Sequence, residues 1–276
     1  MARAQRARGV VVVNLNDPLR RPEPGAGLGG QVREVTSWLV DVLFERVDER
    51  PAPEPPVELK ACRLRAGRRI GCVSLVGGCG TTTIAALLAQ RSGGAGGRVR
   101  LIDLDLAAPT IALLAGQRTP TLLDALAEES VRGRRWGSVD AIFGADRDPG
   151  PDVAESLARF VRRMSTDAAV VVDAGTLAAT ACEAVLHACD TVVYVTTPRA
   201  AHVHAAVRAA AALDAIGVDA RLVVARSAPD VAGAVAREVG LALLGSIPED
   251  PFLARDEFRV RAETARAIDR VCAALA

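Results

Sequence analysis

Residues 75–89 read LVGGCGTTTIAALLA, with three glycines among residues 77–80, three consecutive threonines and then an apolar run. The apolar stretch IGCVSL, residues 70–75, precedes the glycines and is typical of a short buried strand. Glycines let a backbone wrap closely around phosphate groups, and the N-terminus of a following helix directs amide groups at them. The stretch therefore predicts a strand, a phosphate-binding loop and a helix, although the loop contains no lysine.

The same alternation of apolar strands and helices continues to the end of the chain. Further strands are predicted at 98–105, 168–173, 191–198, 220–225 and 242–248. Helices are predicted at 81–91, 121–129, 153–164, 202–216, 230–239 and 255–275, with SGGAGG, residues 92–97, ending the first of them. Continuous apolar strands between helices predict an α/β fold: a doubly wound, mostly parallel sheet with helices on both faces. Ligands of such sheets bind where the loops leave the carboxyl ends of the strands.

The first 60 residues differ from the rest of the chain. They predict an N-terminal extension over 1–60, with an amphipathic helix in residues 31–48 and a stiff, proline-rich linker, RPAPEPPVE, at 50–58. The helix could pack on the main domain or be offered to a protein partner, and the sequence leaves both open. Residues 61–276 are expected to form the nucleotide-binding domain.

Composition excludes some broad classes of function. A net charge of +1 gives no overall field to recruit nucleic acid, although RGRRW at 132–136 could do so locally; a solvated loop is the simpler interpretation. The 6 cysteines form no CxxC pair, as expected of a reducing cytoplasm. Ile70–Gln90 is uncharged over 21 residues, but a strand, loop and helix explain it better than a membrane span. We expect a cytoplasmic protein without a membrane span.

Carboxylates end two of the predicted strands. Asp103 and Asp105 close the strand RVRLIDLD, and Asp173 closes AAVVVD. Carboxylates in such positions can hold a hydrated metal ion or orient a water for attack on a terminal phosphate. Thr82 stands where a phosphate-binding loop places its magnesium-ligating hydroxyl. Strand-end aspartates are common, so the prediction depends on the loop and the carboxylates occurring together in this order.

With these motifs, the chain resembles the ParA/MinD-type P-loop ATPases over about residues 68–276. Val76–Thr83 resembles their deviant Walker A motif, KGGxGK[ST]T; LIDLD resembles switch I, and VVVDAG resembles Walker B. CDTVVYVTTP resembles a further strand of the family, and SIPED its turn beside the adenine. Within the family the threonine-rich loop is most similar to the CpaE/TadZ branch, which localises pilus-assembly machinery.

The resemblance implies ATP and Mg²⁺ as ligands. It assigns magnesium to Thr82, Asp105 and Asp173, and gives Asp105 the catalytic role of organising the attacking water. The implied nucleotide-binding residues are those of the loop, one switch carboxylate and two positions near the base: Gly77, Gly78, Cys79, Gly80, Thr81, Thr82, Thr83, Asp103, Arg226 and Pro248.

The chain also departs from the family pattern. Val76 and Thr81 replace the two Walker A lysines, and Ala225, followed by Arg226, replaces an asparagine that often recognises the base. A charge-assisted hydrogen bond contributes roughly 1.5–3 kcal/mol, so losing one weakens binding by about ten- to a hundredfold. We therefore expect nucleotide binding with weak or absent hydrolysis, unless an arginine substitutes. Arg199, after TTP at the end of a predicted strand, is the best candidate, although an ordinary surface arginine is the simpler interpretation.

Three functions remain open at this stage. The first is an ATP-binding protein that acts as a nucleotide-gated homodimer or scaffold and positions other machinery. The second is a pseudo-ATPase that works through protein contacts alone, and the third is an active partitioning ATPase, for which nucleic-acid binding is possible but unsupported. Two lesser hypotheses are a reactive Cys79, its pKa lowered by the helix N-terminus, and a metal site built from His187, Cys189, His202 and His204.

Overall fold

The computed structural model describes residues 63–105, 109–127, 133–145, 153–176, 182–253 and 259–276. The predicted 1–60 extension and the 31–48 helix lie outside the described residues and stay predictions.

The described chain alternates strands with helices, as the sequence predicts. The strands are β1 (Arg69–Ser74), β2 (Val99–Asp103), β3 (Arg134–Trp136), β4 (Val139–Ile142), β5 (Ala169–Thr176), β6 (Thr191–Thr196), β7 (Ala220–Ala225) and β8 (Ala242–Ile247). The helices are α1 (Thr81–Gly94), α2 (Ile111–Ala115), α3 (Leu122–Ala127), α4 (Ala154–Met164), α5 (Cys182–His187), α6 (Ala200–Ala215), α7 (Pro229–Val239) and α8 (Ala262–Leu275).

The strands form one 8-stranded sheet in the order β3-β4-β2-β5-β1-β6-β7-β8. Every pairing is parallel except that of β3 with β4. The central strand β1 lies between β5 and β6, so the loop that follows it emerges in the middle of the sheet edge. The loops after β2 and β5 lie on one side of it, and the loops after β6 and β7 lie on the other.

Helices cover both faces of the sheet and bury two apolar clusters. One cluster joins α1 and α8 to the sheet, and the other joins α4, α5, α6 and α7 to the opposite face. The predicted doubly wound α/β fold is thereby confirmed. Helix α1 is packed between the sheet and α8, and it is buried without a break from Ile84 to Ser92. That burial accounts for the long uncharged run in this part of the sequence. Within the described ranges, no helix is both long and apolar enough to traverse a lipid bilayer.

The structure corrects three predicted elements. Helix α1 runs past the predicted bound of residue 91 to Gly94, so it ends within SGGAGG, as predicted, but three residues later. Helix α8 begins at Ala262 rather than at 255, because residues 259–261 are not helical and Arg261, its N-cap, is extended. The basic stretch at 132–136 is not a loop throughout: its last three residues form β3, which pairs with β4 across Gly137 and Ser138.

Candidate nucleotide-binding site

The glycine loop connects β1 to α1 at the centre of the sheet edge. Gly78 and Gly80 have positive φ angles of 79° and 93°, a conformation that glycine adopts without steric cost. A Cβ added at Gly77, Gly78 or Gly80 would meet nothing within 4 Å, so the space in front of the loop is open. The loop therefore has the backbone form and the free approach that a phosphate requires.

A cavity of about 170 Å³ lies in front of this loop. Thr81 and Thr82, the first residues of α1, line it together with the loop glycines. Its other wall is formed by Asp105, Gly175 and Thr176 from the ends of β2 and β5. The structure thus brings together the predicted phosphate loop, the predicted magnesium hydroxyl and one of the predicted carboxylates.

Asp173 lies at the centre of the acidic side of the site and is completely buried. Its Oδ1 accepts a hydrogen bond of 3.3 Å from the Gly175 amide, whereas its Oδ2 is buried and accepts no hydrogen bond of normal geometry from the described residues. Burial raises the pKa of Asp173 to about 6, while the nearby Thr82 hydroxyl and the Gly175 amide oppose that rise. A buried carboxylate oxygen without a partner is costly unless a cation or an ordered water satisfies it.

Asp103 is the register partner of Asp173 on the adjacent strand β2 and is equally buried. Its Oδ1 accepts from the Asp105 amide at 3.1 Å, and its Oδ2 accepts from the Ile111 amide at 3.2 Å. Burial, and then the charge of Asp173, raise the pKa of Asp103 to about 7. These contacts connect Asp103 to Asp105, just after β2, and to Ile111, the first residue of α2, and its predicted nucleotide contact stays a prediction.

Asp105 reaches the cavity because Gly175 leaves room for it. A Cβ at Gly175 would lie 2.8 Å from both Cβ and Oδ1 of Asp105 and closer still to its Cγ. Gly175 also has a positive φ of 61°. The sequence analysis did not single out Gly175, although the glycine directly after DA in VVVDAG was the available signal.

The oxygen atoms at this site suit a magnesium ion that also binds phosphate groups. The described residues contain no group of three His, Cys, Asp or Glu side chains able to hold a metal ion by themselves. Mg²⁺ keeps several waters and needs only one or two carboxylates together with substrate phosphates. Thr82, Asp105 and the unpartnered oxygen of Asp173 would supply those contacts, and bound Mg²⁺ would neutralise phosphate charge there.

A second cavity, of about 280 Å³, lies at the ends of β7 and β8. Arg226 and Pro248, the two residues predicted near the base, both line it, and Ser246, Glu249 and Glu263 contribute polar groups. The structure therefore brings these two predicted residues together in one cavity, on the β6 side of the glycine loop. Ser246 and Glu263 were not predicted as site residues, although Ser246 is the first residue of the SIPED motif.

Cys79 does not have the environment of a reactive thiol. It is 3% exposed, and burial raises its pKa, although the charges of Arg226 and Arg199 act in the opposite direction. The expected lowering of the pKa by the helix N-terminus is therefore wrong. The thiol instead packs against His202, whose Nδ1 lies 3.6 Å from Cys79 Sγ.

The four-residue metal hypothesis is also wrong. His187 is exposed and lies 3.9 Å from Glu183, whereas Cys189 donates to the Val185 carbonyl. His202 contacts Thr197 and the glycine loop, and His204 is exposed farther along α6. Their side chains have separate neighbours, and none of them belongs to a metal-binding group within the described part of the chain.

Comparison with known proteins supports the fold. The cell division ATPase MinD of Pyrococcus furiosus superposes with a TM-score of 0.64 at 22% identity, over 75% of this chain and 97% of that chain. The septum site-determining protein MinD of Pyrococcus horikoshii, complexed with Mg-ADP, gives 0.63 at 21% identity, over 74% and 94% of the two chains. A ParA family ATPase of Chlorobium tepidum gives 0.63 at 17% identity, over 75% and 99%.

No protein family model and no curated protein sequence matches the chain. The structural likeness extends over nearly the full length of each solved protein. The chain therefore has the fold of the MinD- and ParA-type P-loop ATPases.

Proposed function

We propose that this protein binds Mg-ATP and Mg-ADP at the glycine loop and hydrolyses ATP slowly or not at all. The nucleotide would control a homodimer or scaffold that positions other cellular machinery. The phosphates would lie in the cavity before Thr81 and Thr82, and the base would extend toward Pro248. The Mg-ADP complex of the Pyrococcus horikoshii protein supports a nucleotide ligand for this fold.

The observation that carries this proposal is the unpartnered Oδ2 of Asp173. The oxygen is buried near Thr82, which lines the cavity, and two residues before Gly175, which lines it as well. The Thr82 hydroxyl is the polar group that lowers the pKa of this carboxyl most, and a buried carboxylate oxygen without a hydrogen bond of normal geometry destabilises the fold unless a cation or an ordered water satisfies it. A magnesium-bound water, or the ion itself, would satisfy it.

The absent lysines support slow turnover. Val76 and Thr81 stand at the two lysine positions of the motif, so the loop itself carries no positive charge toward the γ-phosphate. Hydrolysis requires stabilisation of the charge that develops there in the transition state, whereas binding still has the loop amides, the α1 N-terminus and magnesium.

A nucleotide-free interaction scaffold is the second candidate, and the same absence of lysine favours it. In that case the loop would be an inherited shape, and contacts through residues 31–48 would carry the function. Assignment to the pilus-assembly branch depends on the threonine-rich loop alone and is a proposal of lower rank. An active partitioning ATPase would additionally bind DNA in a salt-dependent manner.

Calorimetric titration with Mg-ATP and Mg-ADP tests the proposal. The matched variants are Asp173→Ala and Asp214→Ala, the latter removing an exposed carboxylate on α6. We expect micromolar to submillimolar binding by the wild type and by Asp214→Ala, and weaker binding by Asp173→Ala. Turnover assays and nucleotide-dependent sedimentation then test hydrolysis and dimerisation. Absence of heat at millimolar ATP, with the protein folded, would support the scaffold instead.

A further inference from the structure

The ends of the strands carry opposite charges on the two sides of the glycine loop. On the β5 and β2 side lie Asp173, three residues before the end of β5, Asp103 at the end of β2, and Asp105 just after it. On the β6 and β7 side the loops carry Arg199 and Arg226. Since β1 lies between β5 and β6, the loop is placed between an acidic and a basic group of side chains.

The loop that bears Arg199 is fixed against the glycine loop through His202. The His202 amide donates to the Arg199 carbonyl at 2.9 Å in the first turn of α6. The His202 ring then lies with Nδ1 2.7 Å from the Thr197 hydroxyl oxygen and 3.6 Å from Cys79 Sγ. The Arg199 backbone is therefore connected by a short chain of contacts to a residue inside the phosphate loop.

Arg226 has an unusual backbone conformation. It is the sole residue other than glycine with a positive φ in the described ranges, at 54°, directly after β7. Such a conformation is strained for a residue with a side chain and concentrates at functional sites. The side chain lines the 280 Å³ cavity on the β7 side of the loop.

Arg199 and Arg226 lie near enough to the glycine loop for their charges to influence the pKa values of Cys79 and His202. The charges of Arg226 and Arg199 oppose the burial-driven rise in the pKa of Cys79, and both add to the lowering that burial causes in the pKa of His202. Both arginines are exposed, and neither guanidinium forms an ion pair or hydrogen bond with a residue that the structure describes. Two cations without partners thus lie near a phosphate loop that has no lysine.

We propose that Arg199 and Arg226 supply, from the β6 and β7 strand ends, the positive charge toward the nucleotide phosphates that the glycine loop lacks. This inference rests on the proposed function, because it concerns the same phosphates. Guanidinium groups suit the task, since they stay charged and bind phosphate oxygens through two parallel hydrogen bonds. Magnesium would neutralise the phosphates from the acidic side, and the arginines would do so from the other.

The test compares Arg199→Gln and Arg226→Gln with Arg208→Gln, which removes an exposed arginine farther along the helix that begins after Arg199. Affinities for Mg-ATP are measured by calorimetry, with magnesium tripolyphosphate as a competitor that lacks a base. We expect each of the first two variants to bind both ligands about tenfold or more weakly, Arg226→Lys to retain part of the affinity, and Arg208→Gln to match the wild type.

A second variant separates a phosphate contact from general damage to the fold. Thr81→Lys places a lysine at the start of α1, and we expect it to restore Mg-ATP binding to Arg199→Gln and Arg226→Gln. If the wild type binds Mg-ATP and both glutamine variants bind it equally tightly, this inference is overturned and the proposed function stays intact. A wild type that binds no nucleotide would overturn both.

Discussion

Asp103 and Asp173 are register partners on the adjacent strands β2 and β5, and both carboxyl groups are completely buried. Burial and the charge of Asp173 raise the pKa of Asp103 to about 7, and burial raises that of Asp173 to about 6. Both values lie above the ordinary aspartate pKa of about 4 in an unfolded chain. The folded state therefore holds these protons to higher pH than the unfolded state.

This relationship predicts that the protein loses stability as the pH rises. The contribution of the two protons is fully present below about pH 4 and is lost as the pH passes through about 6 and about 7. We expect the free energy of unfolding in urea, without Mg²⁺, to fall between about pH 5 and about pH 8. Asp173→Asn should reduce this loss of stability with pH. An unchanged pH dependence of the free energy of unfolding in this variant would contradict the raised pKa of Asp173.

Gly175→Ala is expected to destabilise the protein by about 2 kcal/mol or more, because alanine is strained at positive φ and its Cβ would overlap Asp105. Gly217→Ala is the control: Gly217 has a similar φ of 69°, but a Cβ there meets nothing within 4 Å. Chemical denaturation of both variants measures the difference. Equal losses of stability in the two variants would show that the position of Asp105 does not depend on the absence of a Cβ at Gly175.

Arg91 on α1 forms a two-pronged salt bridge with Asp269 on α8, and the arginine side chain is only 4% exposed. Asp269→Asn would leave that buried charge poorly compensated, so we expect a loss of about 2–4 kcal/mol in unfolding experiments. Asp167 pairs with Arg98 and Arg100 at the surface, where ion pairs contribute little. An equal loss of stability in Asp167→Asn would contradict the claim that burial makes the salt bridge between Arg91 and Asp269 important.

Thr81→Lys in an otherwise unchanged chain is expected to raise Mg-ATP affinity by about ten- to a hundredfold, because it returns a charge-assisted hydrogen bond to the phosphates. Thr81 lines the phosphate cavity at the start of α1. Val207→Lys, on the exposed side of α6, adds the same charge elsewhere and should leave the affinity unchanged. Equal gains in the two variants would indicate a general effect of net charge.

The central sheet could be predicted from sequence because its strands are continuous apolar runs. Strand β7 was predicted with its observed bounds, and the glycine loop, Asp105 and Thr82 meet at one cavity as expected. The carboxyl ends of parallel strands share one edge of the sheet, so side chains at those ends converge whatever the exact lengths of the helices.

Features set by local turn chemistry or by packing were harder to predict. The β3–β4 hairpin turns through Gly137 and Ser138, a two-residue signal that the neighbouring arginines obscured. The composition of 254–262 does not mark where α8 begins. The placement of Arg226 depends on a positive φ that no sequence pattern specifies for arginine.

The magnesium dependence of ATP binding tests the central claim most directly. Calorimetry on the wild type, with Mg²⁺ and then with the metal chelated, gives the ratio of the two affinities. We predict tighter ATP binding with Mg²⁺, and loss of most of that enhancement in Asp173→Asn but not in the surface variant Asp214→Asn, because the buried Asp173 oxygen meets the hydrated ion. ATP binding that is equal with and without Mg²⁺, or a magnesium effect unchanged in Asp173→Asn, would contradict the account.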